Sequence, residues 1–331
     1  MNKNKSICRI LEVPYDCLTL CLDKDRPGAM RLVCRDFRIT QEVVLTYVKI
    51  NLRRMQLHGF VARKAAELLS RLPSLNNVEL STHIGSLLPA SVNSALWACS
   101  GLTSLHIERG WDAIPLHVRL QRLTLSSVSV DFSPLSSCSA LEHLRLISCN
   151  ALMGHLSSLT ACSSLVSLEV SRSSYVDISP LRALTALTSL ALNGMPLIQS
   201  VEALRDHPRL SSLKLTHALE MRERSSLEAI GSCSRLEDLT IARGCPAVVD
   251  LHWIVRLSSL TSLDLRDCMN LASLQPLSNC SLLRTLDVRG CQLIQRPAQF
   301  WCLDVCTHLE ELRCDIDVVL RGGVLRGGRG P

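Results

Sequence analysis

One hexad, Leu-x-x-Leu-x-Leu or a close aliphatic variant, returns eleven times along the chain. Its first residue falls at Leu75, Leu102, Leu120, Leu141, Leu165, Leu187, Leu210, Leu236, Leu260, Leu283 and Leu309. Successive first positions lie 18 to 27 residues apart, and all but the 18 fall within the roughly 20–29 residues that a strand-plus-return repeat occupies. A weaker copy, Tyr47-Ile50-Leu52, precedes them. Alternate residues of a strand point to opposite sides, so positions 4 and 6 of each unit are expected to face inward. No single layer can bury that apolar side alone, and stability then comes from stacking on neighbours.

Other residues obey the same register. Cys99, Cys138, Cys162, Cys233, Cys280 and Cys306 each stand three residues before a first position. Cys149, Cys268 and Cys291 fall at position 9, where a small donor can bond backbone in the turn, and Cys314 at a position 6. These ten read as small core residues. No pair has the Cys-x2-Cys spacing of a zinc site, so no metal is expected. Aromatic residues make up 3% of the chain and hydrophobic ones 47%, which suits layers filled by Leu, Ile, Val and Cys.

The segments that follow the strands change along the chain. Residues 60–71 and 89–99 carry helical periodicity. Asp131-Phe132-Ser133-Pro134-Leu135, Asp177-Ile178-Ser179-Pro180-Leu181 and Gln275-Pro276-Leu277 place a proline where a long helix would break and a 3-10 turn fits. Over residues 120–300 these turns resemble those of the short leucine-rich repeats in internalins and in phosphatase-regulating proteins, a likeness that implies an architecture and names no partner. The expected fold is an α/β leucine-rich-repeat solenoid (a horseshoe) with a parallel concave sheet and a small helical N-terminal element. Residues 1–8 read as a tail, 41–316 as the solenoid, and 317–331 as an Arg/Gly-rich flexible tail.

Residues 9–40 stand outside the array. They read Arg9-Ile-Leu-Glu-Val-Pro14, then Cys17-Leu-Thr-Leu-Cys-Leu22, then Met30-Arg-Leu-Val-Cys-Arg-Asp-Phe-Arg38. This order resembles an F-box, in particular that of F-box proteins whose substrate-binding half is a leucine-rich-repeat solenoid. It departs from the family at Pro27-Gly28, which interrupts the stretch where a second helix usually continues. The resemblance implies that Pro14, Leu18, Leu22, Val33 and Phe37 pack on the adaptor subunit of an SCF ubiquitin ligase, with a cullin beyond it. The alternative is an N-terminal cap that shields the first repeat.

A protein partner is expected on the concave face. Candidate contact residues are Arg145, Glu169, Lys214, Arg243, Asp264, Arg266, Asp287, Arg289 and Arg313. Asp264 and Asp287 fall on adjacent strands, and Arg266 and Arg289 supply the cations that two such carboxylates need. The net charge of +6 is spread along the chain, without the basic stripe of a phosphate-tracking face, so nucleic acid is not expected. The Arg-Gly-Gly tail is too short to change that.

No catalytic motif with supporting context occurs, and no cofactor or small-molecule substrate is expected. No apolar run is long enough for a membrane helix, and Glu12, Pro14 and Asp16 interrupt the stretch a signal peptide needs. Sixteen cysteines then read as free thiols in the cytoplasm or nucleus. Two functions follow from these readings: substrate recognition for an SCF-type ligase in ubiquitin-dependent protein degradation, or a non-catalytic scaffold or regulator of another protein such as a phosphatase.

Overall fold

Alternating leucines prescribe a short strand in each repeat, and the computed structural model places one in all eleven units and one before them. There Val48 and Ile50 lie opposite Val78 and Leu80, so the weaker copy has Val48 and Ile50 at positions 4 and 6, two residues earlier than the Tyr47-Ile50-Leu52 reading. The structure describes residues 47–51, 66, 76–81, 94–96, 98–109, 119–128, 132–149, 155–173 and 177–318. They belong to two units, Met1–Val130 and Asp131–Pro331. The F-box-like segment and the Arg/Gly tail from residue 319 lie outside the described residues.

In the first unit β1 (Tyr47–Asn51), β2 (Asn77–Ser81), β3 (Ser104–Glu108) and β4 (Arg122–Ser126) pair in parallel. Val78, Leu105 and Leu123 share one register row, and Leu80, Ile107 and Leu125 another. Ala66 and residues 94–96 are helical, within the two segments whose periodicity predicts helix.

The second unit holds β5 (His143–Ile147), β6 (Ser167–Ser171), β7 (Ser189–Asn193), β8 (Ser212–Thr216), β9 (Asp238–Ala242), β10 (Ser262–Asp264), β11 (Thr285–Asp287) and β12 (Glu311–Arg313), again parallel and in sequence order. Position 4 forms an unbroken row from Leu144 through Leu168, Leu190, Leu213, Leu239, Leu263 and Leu286 to Leu312. All eight are buried, as are their position 6 partners.

The strands begin at position 3, two residues later than the first leucine of each hexad. The delay has a hydrogen-bonding cause. The amides of positions 2 and 3 both donate to the position 2 carbonyl of the preceding repeat, as Val166 and Ser167 do to Glu142 at 2.8 and 3.0 Å. The chain is still bending inward there, with the first leucine already buried.

Position 8 ends the strand with a left-handed residue in nine successive repeats: Arg109, Ser127, Ser148, Arg172, Gly194, His217, Arg243, Asp267 and Gly290, with φ between 54° and 74°. Seven of the nine are not glycine, although this region costs an L residue about 1–2 kcal/mol. A bond to the next repeat offsets that cost. The amide of Arg172 donates to Asn193 O at 2.8 Å, that of His217 to Ala242 O at 3.1 Å, and that of Asp267 to Arg289 O at 2.8 Å.

On the far side of each repeat the prolines set short 3-10 turns, as expected, at Ser133–Ser137, Ser179–Ala183 and Gln275–Asn279. Asp177 holds the second by accepting from the Ser179 amide and hydroxyl, both at 2.9 Å. The two 26-residue spacings carry longer elements, the helix α1 (Arg224–Gly231) and the 3-10 segment Pro297–Val305. Gly231 ends α1 against the next repeat, where a Cβ would collide with the Trp253 carbonyl oxygen.

The register of the cysteines holds. All ten singled out are buried, and none is in a disulfide. Cys268 and Cys291 at position 9 donate to the position 6 carbonyls of the repeats before them, Ile241 O and Leu265 O, both at 3.2 Å. Burial pushes the thiol of Cys138 up to about 12 and that of Cys162 up to about 11, which keeps both protonated.

His207 stands three residues before a first position, where the repeats on either side have Leu184 and Cys233. Its buried Nε2 lies 3.0 Å from Leu184 O, while Nδ1 has no partner. Burial lowers its pKa below the usual 6.5, and the bond to Leu184 opposes this only in part.

Two predictions follow from this packing. Because the folded state refuses a proton that the unfolded chain accepts, stability should fall as pH drops below about 6.5. Urea unfolding of His207→Leu at pH 7 and pH 5.5 should lose part of that dependence; a dependence equal to that of the parent protein would exclude His207 as its source. Separately, Ser148→Gly should raise stability by some tenths of a kcal/mol, up to about 1, whereas Gly231→Ala should lower it by about 2 kcal/mol or more. Thermal melts of both variants test the signs.

Candidate functional site

Pairing in register stacks like positions side by side, so the outward positions of the second unit form rows across the strands. Position 3 reads His143, Ser167, Ser189, Ser212, Asp238, Ser262, Thr285 and Glu311. Position 5 reads Arg145, Glu169, Ala191, Lys214, Thr240, Asp264, Asp287 and Arg313. The two rows form a face with three chemically different stretches.

At the N-terminal end Arg145 Nε and Glu169 Oε2 pair at 2.6 Å across β5 and β6. The chain of bonds continues from there. Ser171 Oγ donates to Glu169 Oε1 at 3.1 Å, Asn193 Nδ2 donates to Ser171 Oγ at 3.4 Å, and Thr216 Oγ1 donates to Asn193 Oδ1 at 3.3 Å. The exposed ion pair itself is worth only about 0.2–1 kcal/mol. Its effect is to fix side chains in place along four strands.

The C-terminal stretch is a cluster of charges. Asp264 accepts from Arg266 Nε at 2.9 Å and from Arg266 Nη2 at 2.7 Å. Asp287 accepts from Arg289 Nη2 at 2.7 Å and lies 3.6 Å from Arg266 and 3.9 Å from Arg313. Arg313 also pairs with Glu311 at 2.7 Å. Three guanidinium groups thus surround one carboxylate whose residue is 8% exposed. The hydrogen bonds that Arg266 donates to Asp264 raise its pKa above the usual value, and those that Arg289 donates to Asp287 do the same for Arg289.

The structure therefore brings Asp264, Arg266, Asp287, Arg289 and Arg313 together, and Arg145 with Glu169. Arg243 stands apart from the cluster: it is the exposed left-handed residue after β9, and its amide donates to Arg266 O at 2.8 Å. Lys214 stands alone in the middle stretch between Ala191 and Thr240. Sequence reasoning passed over Arg172, Ser171, Asn193 and Thr216, although the spacing of positions 7 and 8 marks all four. Where β7–β10 begin, Thr188, Arg209, Ser211, Arg235, Glu237 and Ser259 line an open polar groove of about 300 Å³. Among the described residues no group of three His, Cys, Asp or Glu side chains could hold a metal ion, and no helix is long and apolar enough to cross a membrane.

Removing Asp287 leaves three arginines facing one another. Asp287→Ala should cost about 2 kcal/mol, a figure kept below that for a buried pair because the arginines are a third to half exposed. Denaturant melts of Asp287→Ala beside Arg145→Ala test this, since the latter should change stability by less than about 1 kcal/mol; equal losses would sink the argument.

No protein-family profile and no curated protein sequence matches the chain. Solved structures do. An internalin (inlF) from Listeria monocytogenes is similar at 20% identity and a TM-score of 0.60, over 85% of this chain and 84% of that one. Internalin C2 (inlC2) from the same species is 18% identical over 54% of this chain and 74% of that one, with a TM-score of 0.44. The first likeness, with the parallel strands and the repeat register, establishes the architecture: the chain has the α/β leucine-rich-repeat solenoid fold.

Proposed function

We propose that this protein is a non-catalytic binding module that receives another protein on the strand face of its second unit. The observation that carries the reading is the face itself. Eight parallel strands present outward rows of side chains, while their position 4 leucines are buried on the other side by stacking. Such a surface offers many contact points at fixed spacing.

Within that reading the protein serves as the substrate-recognition subunit of an SCF-type ubiquitin ligase. The resemblance of residues 9–40 to an F-box supports this, with Pro14, Leu18, Leu22, Val33 and Phe37 on the adaptor and the target on the strand face. Twelve described cysteines are free thiols, which fits a reducing compartment such as the cytoplasm or nucleus. A scaffold or regulator acting on a phosphatase is the reading that remains without the adaptor.

Affinity capture separates the parts. The full chain should retain adaptor and cullin, and a chain lacking residues 1–40 with an unchanged melting curve should lose both. The double variant Ser189→Trp/Ser212→Trp, which crowds the middle of the face, should keep adaptor and cullin but lose the target. Absence of adaptor from the full chain would sink the ligase assignment, and a target that survives the face variant would sink the binding-face assignment.

A further inference from the structure

The strand face treats its cations in two ways. Arg145, Arg266, Arg284, Arg289 and Arg313 are each paired with a carboxylate of the same chain. Arg172, Lys214 and Arg243 are exposed, and among the described residues none of the three has an ion-pair partner within 4.0 Å. They lie on the stretch from β6 to β9, Arg172 and Arg243 just after their strands and Lys214 at the middle of β8.

The surroundings accentuate their charge. Position 7 along this stretch is uncharged, reading Ser171, Asn193, Thr216 and Ala242. The acid at position 5, Glu169, is already held by Arg145 and Ser171. Glu237 and Asp238 stand at positions 2 and 3, at the start of β9, where Arg209 and Arg235 lie, and Asp267, next to Arg243 in the position 8 row, leans the other way, over Gly290.

Geometry fixes the backbone of two of the three cations. Arg172 and Arg243 sit on left-handed turns whose amides are tied to the next repeat at 2.8 Å. Gly194, next in the position 8 row, has no side chain, and the Cγ of Arg172 comes within 3.8 Å of where its Cβ would stand. The stem of Arg172 thus leans over the neighbouring turn. From β6 to β9 is three strand spacings, about 14 Å, or roughly four to five residues of extended chain.

We infer that this strip takes an acidic, extended segment of the partner protein, whose carboxylates pair with Arg172, Lys214 and Arg243. The inference rests on the strand face being the binding face and specifies what chemistry it recognises. Complementary charge sets specificity and approach rate at such surfaces. Nucleic acid is the poorer fit, because β6–β9 carry no aromatic residue on which a base could stack.

The test is fluorescence anisotropy of the full chain with three labelled probes: decaglutamate, a Gly-Ser decamer and a decauridine RNA. Decaglutamate should bind at low salt, roughly tenfold more weakly at 0.5 M salt, and roughly tenfold or more weakly to Lys214→Glu/Arg243→Glu. Arg205→Ala, which removes a guanidinium paired with Glu202 on the far side of its repeat, should bind it as the parent does. Equal binding by the charge-reversed protein, no binding at all, or tighter binding of decauridine would overturn the inference. Affinity capture then tells the two claims apart. A target lost by Ser189→Trp/Ser212→Trp but kept by Lys214→Glu/Arg243→Glu leaves the face reading standing and removes the acidic segment. A target kept by both removes the face.

Discussion

The register of the inward leucines governs every other feature of the strand face. Leu168, Leu190, Leu213 and Leu239 lie opposite one another in consecutive strands, and the alternation of a strand then sends Glu169, Ala191, Lys214 and Thr240 to the opposite side together. A slip of one residue between any two repeats would expose leucines and bury a charged row. The outward rows therefore have only one alignment open to them. The turn at position 8 reinforces it, since its amide reaches the position 7 carbonyl of the next repeat only in that alignment.

On this fixed frame the charges divide into a closed set and an open one. Asp264, Asp287 and Glu311 neutralise Arg266, Arg289 and Arg313 within the last three strands, and the near-complete burial of Asp287 makes that arrangement part of the folded structure. From β6 to β9 no such acids stand opposite the bases. A rigid ladder of Ser171, Asn193 and Thr216 runs beside them, so these cations remain turned to solvent with little backbone freedom.

Much of this was legible in the residues. The eleven leucine hexads marked their strands, while the weaker copy without leucine at its first two key positions was read two residues out of register. The prolines marked three of the 3-10 turns, and the cysteine spacing marked their burial. The alternation Asp264-x-Arg266 and Asp287-x-Arg289 announced a ladder of opposite charges. What stayed hidden has physical reasons. Arg, Ser, His and Asp at position 8 give no composition signal for a left-handed turn, because the cross-repeat bond and not the residue type sustains it. Helix α1 is eight residues long, too short for periodicity to separate it from a 3-10 turn. The convergence of Arg266 and Arg313 on Asp287 depends on how long side chains bend, which spacing does not encode. The F-box-like residues, Pro14 to Phe37, lie outside the described residues.

The repeats differ in length by returning over the far side in different ways, through a three-residue 3-10 turn at Glu202–Leu204, the helix at Arg224–Gly231 and the nine-residue segment at Pro297–Val305. The strands opposite keep the same start and the same alignment throughout. Insertions and deletions can therefore accumulate on one side during evolution without moving a single outward residue on the other. Shape drifts on the far side, and the strand face changes only by substitution, one side chain at a time.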